Sequence, residues 1–126
     1  MSGAVLTKEQ LRQAFLTPRQ PPFRDVFIKE LGGTVRVIGM TGSQRDHWEA
    51  SNLRIEHGQP VQNKENQRAR FLIQCLADPA DGALLFKEEE APALGFLPAE
   101  ILDPLVVLAA ELSGLGTTLE QLKGNS

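Results

Sequence analysis

Between Ile101 and Leu112 the chain carries nine apolar residues and only two charges, Asp103 and Glu111. A helix that is apolar on nearly every side either runs through the middle of a core or keeps one side for a partner. Either outcome dictates what must surround it. Pro98 suits the first turn of such a helix and Gly114 its stop, so the segment is expected to be helical to about Ser113. Pro104 leaves two readings open: one helix kinked in its second turn, or a separate helix that starts there with Asp103 as its N-cap. A membrane span is not among the readings. The longest uninterrupted apolar run, Leu105 to Ala110, is six residues, whereas a span needs roughly 18 or more.

With 126 residues, 41% of them hydrophobic and 23% charged, the chain fits one ordinary domain that needs neither disulfide nor structural metal. Cys75 is the sole cysteine and has no internal partner. The start, MSGAVLTKEQ, lacks the basic region, apolar run and cleavage site of a secretory signal, so an intracellular protein is expected. A net charge of −3 disfavours nucleic acid, whose binding modules usually carry a basic patch. The charge is also uneven: eleven of the thirteen Lys and Arg precede residue 76, which leaves an acidic C-terminal half and points to protein contacts.

Along the chain, Thr7 and Gln10 have capping-box spacing ahead of a short helix, about Lys8 to Leu16, with Leu11, Ala14 and Phe15 on one face. The stretch TPRQPP, Thr17 to Pro22, then reads as a linker. From Phe23 to Met40 the period changes to two, which predicts a β-hairpin with strands near 24–30 and 34–39 around Leu31-Gly32-Gly33. Thr41 and Gln44 repeat the capping-box spacing before a helix expected over Ser43 to Ile55, and HGQPVQ, His57 to Gln62, breaks it. Ala69, Leu72, Ile73 and Leu76 mark a core helix within Lys64 to Ala77. Asp78 to Gly82 is a turn, and Ala83 to Phe86 is an apolar run that either forms an edge strand or packs without pairing. A short helix is expected from Lys87 to about Leu94, and a last one over Thr118 to Lys123. The expected fold is α+β and mostly α: residues 1–22 a helix and Pro-rich linker, residues 23–126 one domain with an N-terminal β-hairpin packed on a small helical bundle.

Catalytic chemistry finds no foothold. His47, His57 and Cys75 lie in three predicted elements without metal-ligand spacing, and Cys75 sits in an apolar helix where a thiol acts as a small hydrophobe. The glycines at 32, 33, 39 and 42 match neither phosphate-loop pattern, so Gly39 to Gly42 reads as a tight turn plus an N-cap. Glu88, Glu89 and Glu90 are adjacent on a helix and point apart, which prevents a converging acid and base. No enzyme and no cofactor is expected.

Four stretches in this order, VIGMTGSQRDHWEA, QRARFLIQCLADPADGALLF, ALGFLPAEILDPL and LAAELSGLG, resemble the tail assembly chaperones of tailed bacteriophages. The matching positions fall between about residues 24 and 120, among them Thr41-Gly42, Arg45-Asp46, Arg70, Cys75-Leu76, Leu85-Phe86 and Ser113-Gly114-Leu115. The resemblance implies a non-enzymatic protein of the host cytoplasm that coats the tape measure protein and helps tail tube protein assemble around it. Self-association is left open, and neither nucleic acid nor membrane is an expected partner. The client surface is expected on the apolar segment, at Ile101, Leu105, Leu108 and Leu112. The competing reading is a small nucleic-acid-binding regulator that uses a helix from Ser43 to Arg54, with Arg45 and Arg54 in a groove and Arg68 and Arg70 on phosphates.

Overall fold

The computed structural model describes residues 5–115 of the chain, so the helix expected over Thr118 to Lys123 lies outside the described residues. The elements in order are α1 (Lys8–Leu16), β1 (Phe23–Ile28), β2 (Gly33–Ile38), α2 (Gly42–Ser51), β3 (Leu53–Glu56), β4 (Gln59–Gln62), α3 (Gln67–Leu72), β5 (Leu76–Ala77), a 3-10 turn (Glu88–Glu90), α4 (Ala91–Leu94) and α5 (Ala99–Leu112). The class is α+β.

Local chemistry sets the element ends. The predicted N-cap of α1 is present: the Gln10 amide donates to Thr7 Oγ1 at 3.1 Å, and the Thr7 amide donates to Gln10 Oε1 at 2.9 Å. Thr41 and Gln44 repeat the exchange at α2, at 3.2 and 2.8 Å. Each pair satisfies two amide donors that a helix start otherwise leaves without partners. At the other end of α5, Gly114 at φ 73° closes a Schellman motif in which the Leu115 amide donates to the Ala110 carbonyl and the Gly114 amide to that of Glu111.

The hairpin of β1 and β2 pairs Val26 with Val35 and Asp25 with Arg36. Val35 and Val37 enter the core while the alternate positions face outward, as period two requires. On the outer face Arg36 forks onto the Asp25 carboxylate at 2.8 and 3.2 Å and lies 4.0 Å over the Phe23 ring. This pairing holds the Asp25 carboxyl below its ordinary pKa. β5 joins the other edge of β2, giving the antiparallel order β1-β2-β5.

Two expectations need correction. The helix expected to reach Ile55 stops at Ser51, and residues 53–62 form a second hairpin, β3 with β4. Its two-residue turn places His57 at φ 52° and Gly58 at φ 77°, the paired left-handed geometry of a type I′ turn. Pro60 is tolerated opposite Ile55 because this two-stranded sheet is all edge. The helix expected across Lys64 to Ala77 is only α3; after a turn the chain extends, and Leu76-Ala77 pairs with Arg36-Val37. Its predicted core residues Ala69, Leu72, Ile73 and Leu76 are nevertheless all buried. Of the two readings of Pro104, the single helix is the one observed: α5 runs through it, and no separate helix starts there. Pro104 and Glu100 are both exposed, so the carbonyl deprived of its amide donor belongs to an exposed residue.

The Ala83 to Phe86 run resolves as a single bridge, Leu84 opposite Ala77, rather than a strand. The core gathers Val37, Phe71, Leu72, Cys75 and Val106 as its largest fully buried side chains, with Trp48 set edge-on to Phe71 at 5.0 Å between ring centres. α5 packs on both α3 and β2. At the far end of that contact the chain is very tight: a β-carbon on Gly39 would fall on the Leu112 carbonyl group. Gly39→Ala is therefore expected to cost about 1–3 kcal/mol, because backbone must shift to admit the methyl. Gly42→Ala, with open space around it in the first turn of α2, is expected to be neutral or stabilising by about 0.5 kcal/mol. Urea melts of the two variants check the opposite signs.

Candidate functional site

Among the described residues no three His, Cys, Asp or Glu side chains come together to hold a metal. His47 in α2 contacts the Glu88 carboxylate, and His57 sits in the turn between β3 and β4. Glu90 turns back to accept from the Lys87 amide at 2.8 Å, whereas Glu88 meets His47. Cys75 is fully buried, and burial pushes its thiol pKa up to about 12, only partly offset by a hydrogen bond with Ser113. At neutral pH it is a protonated, inert core side chain.

The arginines named for nucleic-acid binding are already engaged. Arg70 donates to Ser51 Oγ at 2.6 Å, Asn52 Oδ1 at 2.8 Å, the Asn63 carbonyl at 2.8 Å and the Glu65 carbonyl at 2.9 Å, tying α2, β4 and α3 together. Burial lowers the pKa of this guanidinium and the nearby Glu65 opposes that shift. Arg68 bonds Asp103 at 2.5 Å, Arg45 bonds Glu49 at 3.1 Å, and Arg54 reaches Glu56 at 2.9 Å. Because α2 ends at Ser51, Arg45 and Arg54 do not share a helix, and no groove-reading helix from Ser43 to Arg54 exists.

What the fold does assemble is an apolar groove. Ile28 and Leu31 of the first hairpin, Leu85 and Phe86 beyond the bridge, Leu94 and Leu97 at α4, and Ile101 and Leu105 of α5 enclose about 220 Å³. Among the described residues, Thr34 supplies the one polar side chain in its lining. That volume lies below the roughly 300–1,000 Å³ of small-molecule sites, and it suits a large apolar side chain or two presented by another chain. Leu31 and Leu85 are 54% and 47% exposed, so the groove is open at its rim.

The four residues expected to meet a client are split by this geometry. Leu105 is only 6% exposed and forms part of the core as well as the groove floor. Ile101 lines the groove half-buried. Leu108 and Leu112 are half-buried against the core and do not line the groove. The groove also draws on Leu31 and Leu85, which periodicity did not single out. Their signal was a large apolar residue in a hairpin turn and a four-residue apolar run that pairs with almost nothing.

No protein-family model and no curated protein sequence matches the chain. Among solved structures, the bacteriophage HK97 tail assembly chaperone superposes with a TM-score of 0.51 at 17% identity, over 83% of this chain and 98% of the other. The chain has the fold of a phage tail assembly chaperone. The similarity spans nearly the whole of the HK97 protein, so the shared fold is that of the entire neighbour rather than of a fragment. At this identity it speaks for the fold alone. No helix among the described residues is long and apolar enough to cross a membrane.

Proposed function

We propose that the chain is a non-enzymatic tail assembly chaperone, acting in the cytoplasm of the phage host, which binds the tape measure protein and assists assembly of tail tube protein around it. The observation that supports this reading is the open apolar groove between the first hairpin, α4 and α5, on a fold shared with the HK97 chaperone. A long helical client that must not aggregate presents apolar residues at helical spacing, and a groove with one polar lining group is complementary to them. The net charge of −3 keeps such a protein dispersed while its groove stays uncovered.

The nucleic-acid reading loses its proposed helix and finds its four arginines paired. A binding comparison separates the two. An amphipathic helical peptide from the tape measure protein should bind and be competed by the unlabelled peptide. Duplex DNA at physiological salt should bind no tighter than about 10⁻⁴ to 10⁻⁶ M, the non-specific range. Tight, salt-sensitive DNA binding without peptide binding contradicts the proposal.

A further inference from the structure

We infer that the cavity beside Trp48 receives the carboxylate of an aspartate or glutamate side chain presented by a protein partner. The inference is independent of the apolar groove: the two share no lining residue, and either can stand without the other.

α2 supplies His47, Trp48 and Ser51 to this cavity, and Arg70, Gln74 and Glu88 close its other sides around about 140 Å³. Sites that enclose a whole small molecule start at roughly 300 Å³, so this one has room only for the end of a side chain.

Its lining offers donors without acceptors. Trp48 is only 7% exposed, and its indole Nε1–H has no hydrogen-bond partner among the described residues. A buried donor left unmet is costly, and folded proteins keep few of them. The four bonds of Arg70 all go to neutral atoms: the Ser51 hydroxyl, the Asn52 side-chain oxygen and the backbone carbonyls of Asn63 and Glu65. One of its five N–H groups is left over, and its charge is bonded to no carboxylate. Gln74 accepts from Gln44 Nε2 at 3.4 Å through its backbone carbonyl, while its side-chain amide bonds nothing among the described residues. Three donors, one of them cationic, around so small a space suit a carboxylate, which accepts several bonds at once.

The one acid in the lining is Glu88, and its carboxylate is turned onto His47. These two side chains are 63% and 56% exposed and are held to each other rather than to the core. They form the mouth of the cavity, and their parting admits a guest to the indole nitrogen beneath. Glu88 also weakens the site for any anion, a penalty that its replacement by glutamine removes.

Trp48 is the sole tryptophan, so the indole N–H of the full chain gives one resonance in a nitrogen-15 spectrum. The chain is titrated at matched ionic strength with a blocked Gly-Glu-Gly peptide, its Gly-Gln-Gly counterpart and sodium acetate. The glutamate peptide should move the indole resonance downfield and saturably. It should bind about tenfold or more tightly than the glutamine peptide, because bonds to a charged acceptor are the stronger ones. It should also bind about tenfold more tightly than acetate, since the flanking peptide covers the surface around the mouth. Glu88→Gln, an exposed substitution whose fold circular dichroism checks, should bind the glutamate peptide about two- to threefold more tightly than the wild type. An indole resonance that lies upfield and ignores the peptide overturns the inference, for the N–H is then directed at the Phe71 ring and needs no guest. Equal binding of the glutamine peptide, or no change in Glu88→Gln, overturns it as well. If acetate binds as tightly as the peptide, the site takes free carboxylates and the protein partner falls.

Discussion

Replacing Arg70 by alanine is expected to lower folding stability by about 2–4 kcal/mol, the largest single effect among the polar residues. Hydrogen bonds to a charged group are each worth roughly 1.5–3 kcal/mol net, and they do not add when they share one side chain. The guanidinium makes four, to Ser51, Asn52, Asn63 and Glu65, and so joins the end of α2 and the second hairpin to the start of α3. Its half-buried position lets water reach some of the groups it leaves, which keeps the cost well below the full sum. Arg70→Lys keeps the charge but not the fork, so it should recover less than half of the loss. Since domains of this size hold only about 5–15 kcal/mol, the urea midpoint should fall markedly with an unchanged slope. A loss under about 1 kcal/mol would mean that water replaces the guanidinium at every site.

The second large effect separates the floor of the groove from its rim. Leu105→Ala removes a side chain packed in the core and should cost about 2–5 kcal/mol of stability, the usual range for a buried leucine. Leu85→Ser, at a position 47% exposed, should leave the melting temperature nearly unchanged yet weaken client binding about tenfold or more. Leu108→Ala and Leu112→Ala fall between, because both residues are half-buried against the core outside the groove and should lose stability without a selective loss of binding. If Leu85→Ser binds as the wild type does while Leu108→Ala fails without unfolding, the client surface lies along the outer side of α5 instead.

Much of this molecule was legible in its residues, wherever local chemistry and tertiary packing agree. Both capping boxes, the first hairpin, the buried Cys75 and the Gly114 stop are each dictated by a few neighbouring side chains. The second hairpin was not legible, because its turn uses His57 where Asn or Asp would announce a left-handed residue, and its strands bury almost nothing. Leu76-Ala77 reads as helix by spacing and is drawn into the sheet by the free edge of β2, a partner some forty residues earlier in the chain. The groove shares that non-local character. It joins a turn leucine, an apolar run after a glycine turn and three residues of the apolar helix, and of its lining only Ile101 and Leu105 were named as client contacts from their own segment.

The chaperone account stands or falls on what happens to the tape measure protein when this chain is made with it. Co-expression of the two, with the tape measure protein measured in the soluble and pelleted fractions, is the most direct test. The account predicts that wild-type chain keeps the tape measure protein soluble and co-purifies with it, and that Leu85→Ser is folded and abundant but leaves it in the pellet. A tape measure protein that is equally insoluble with and without the wild-type chain, and never co-purifies with it, would contradict the account.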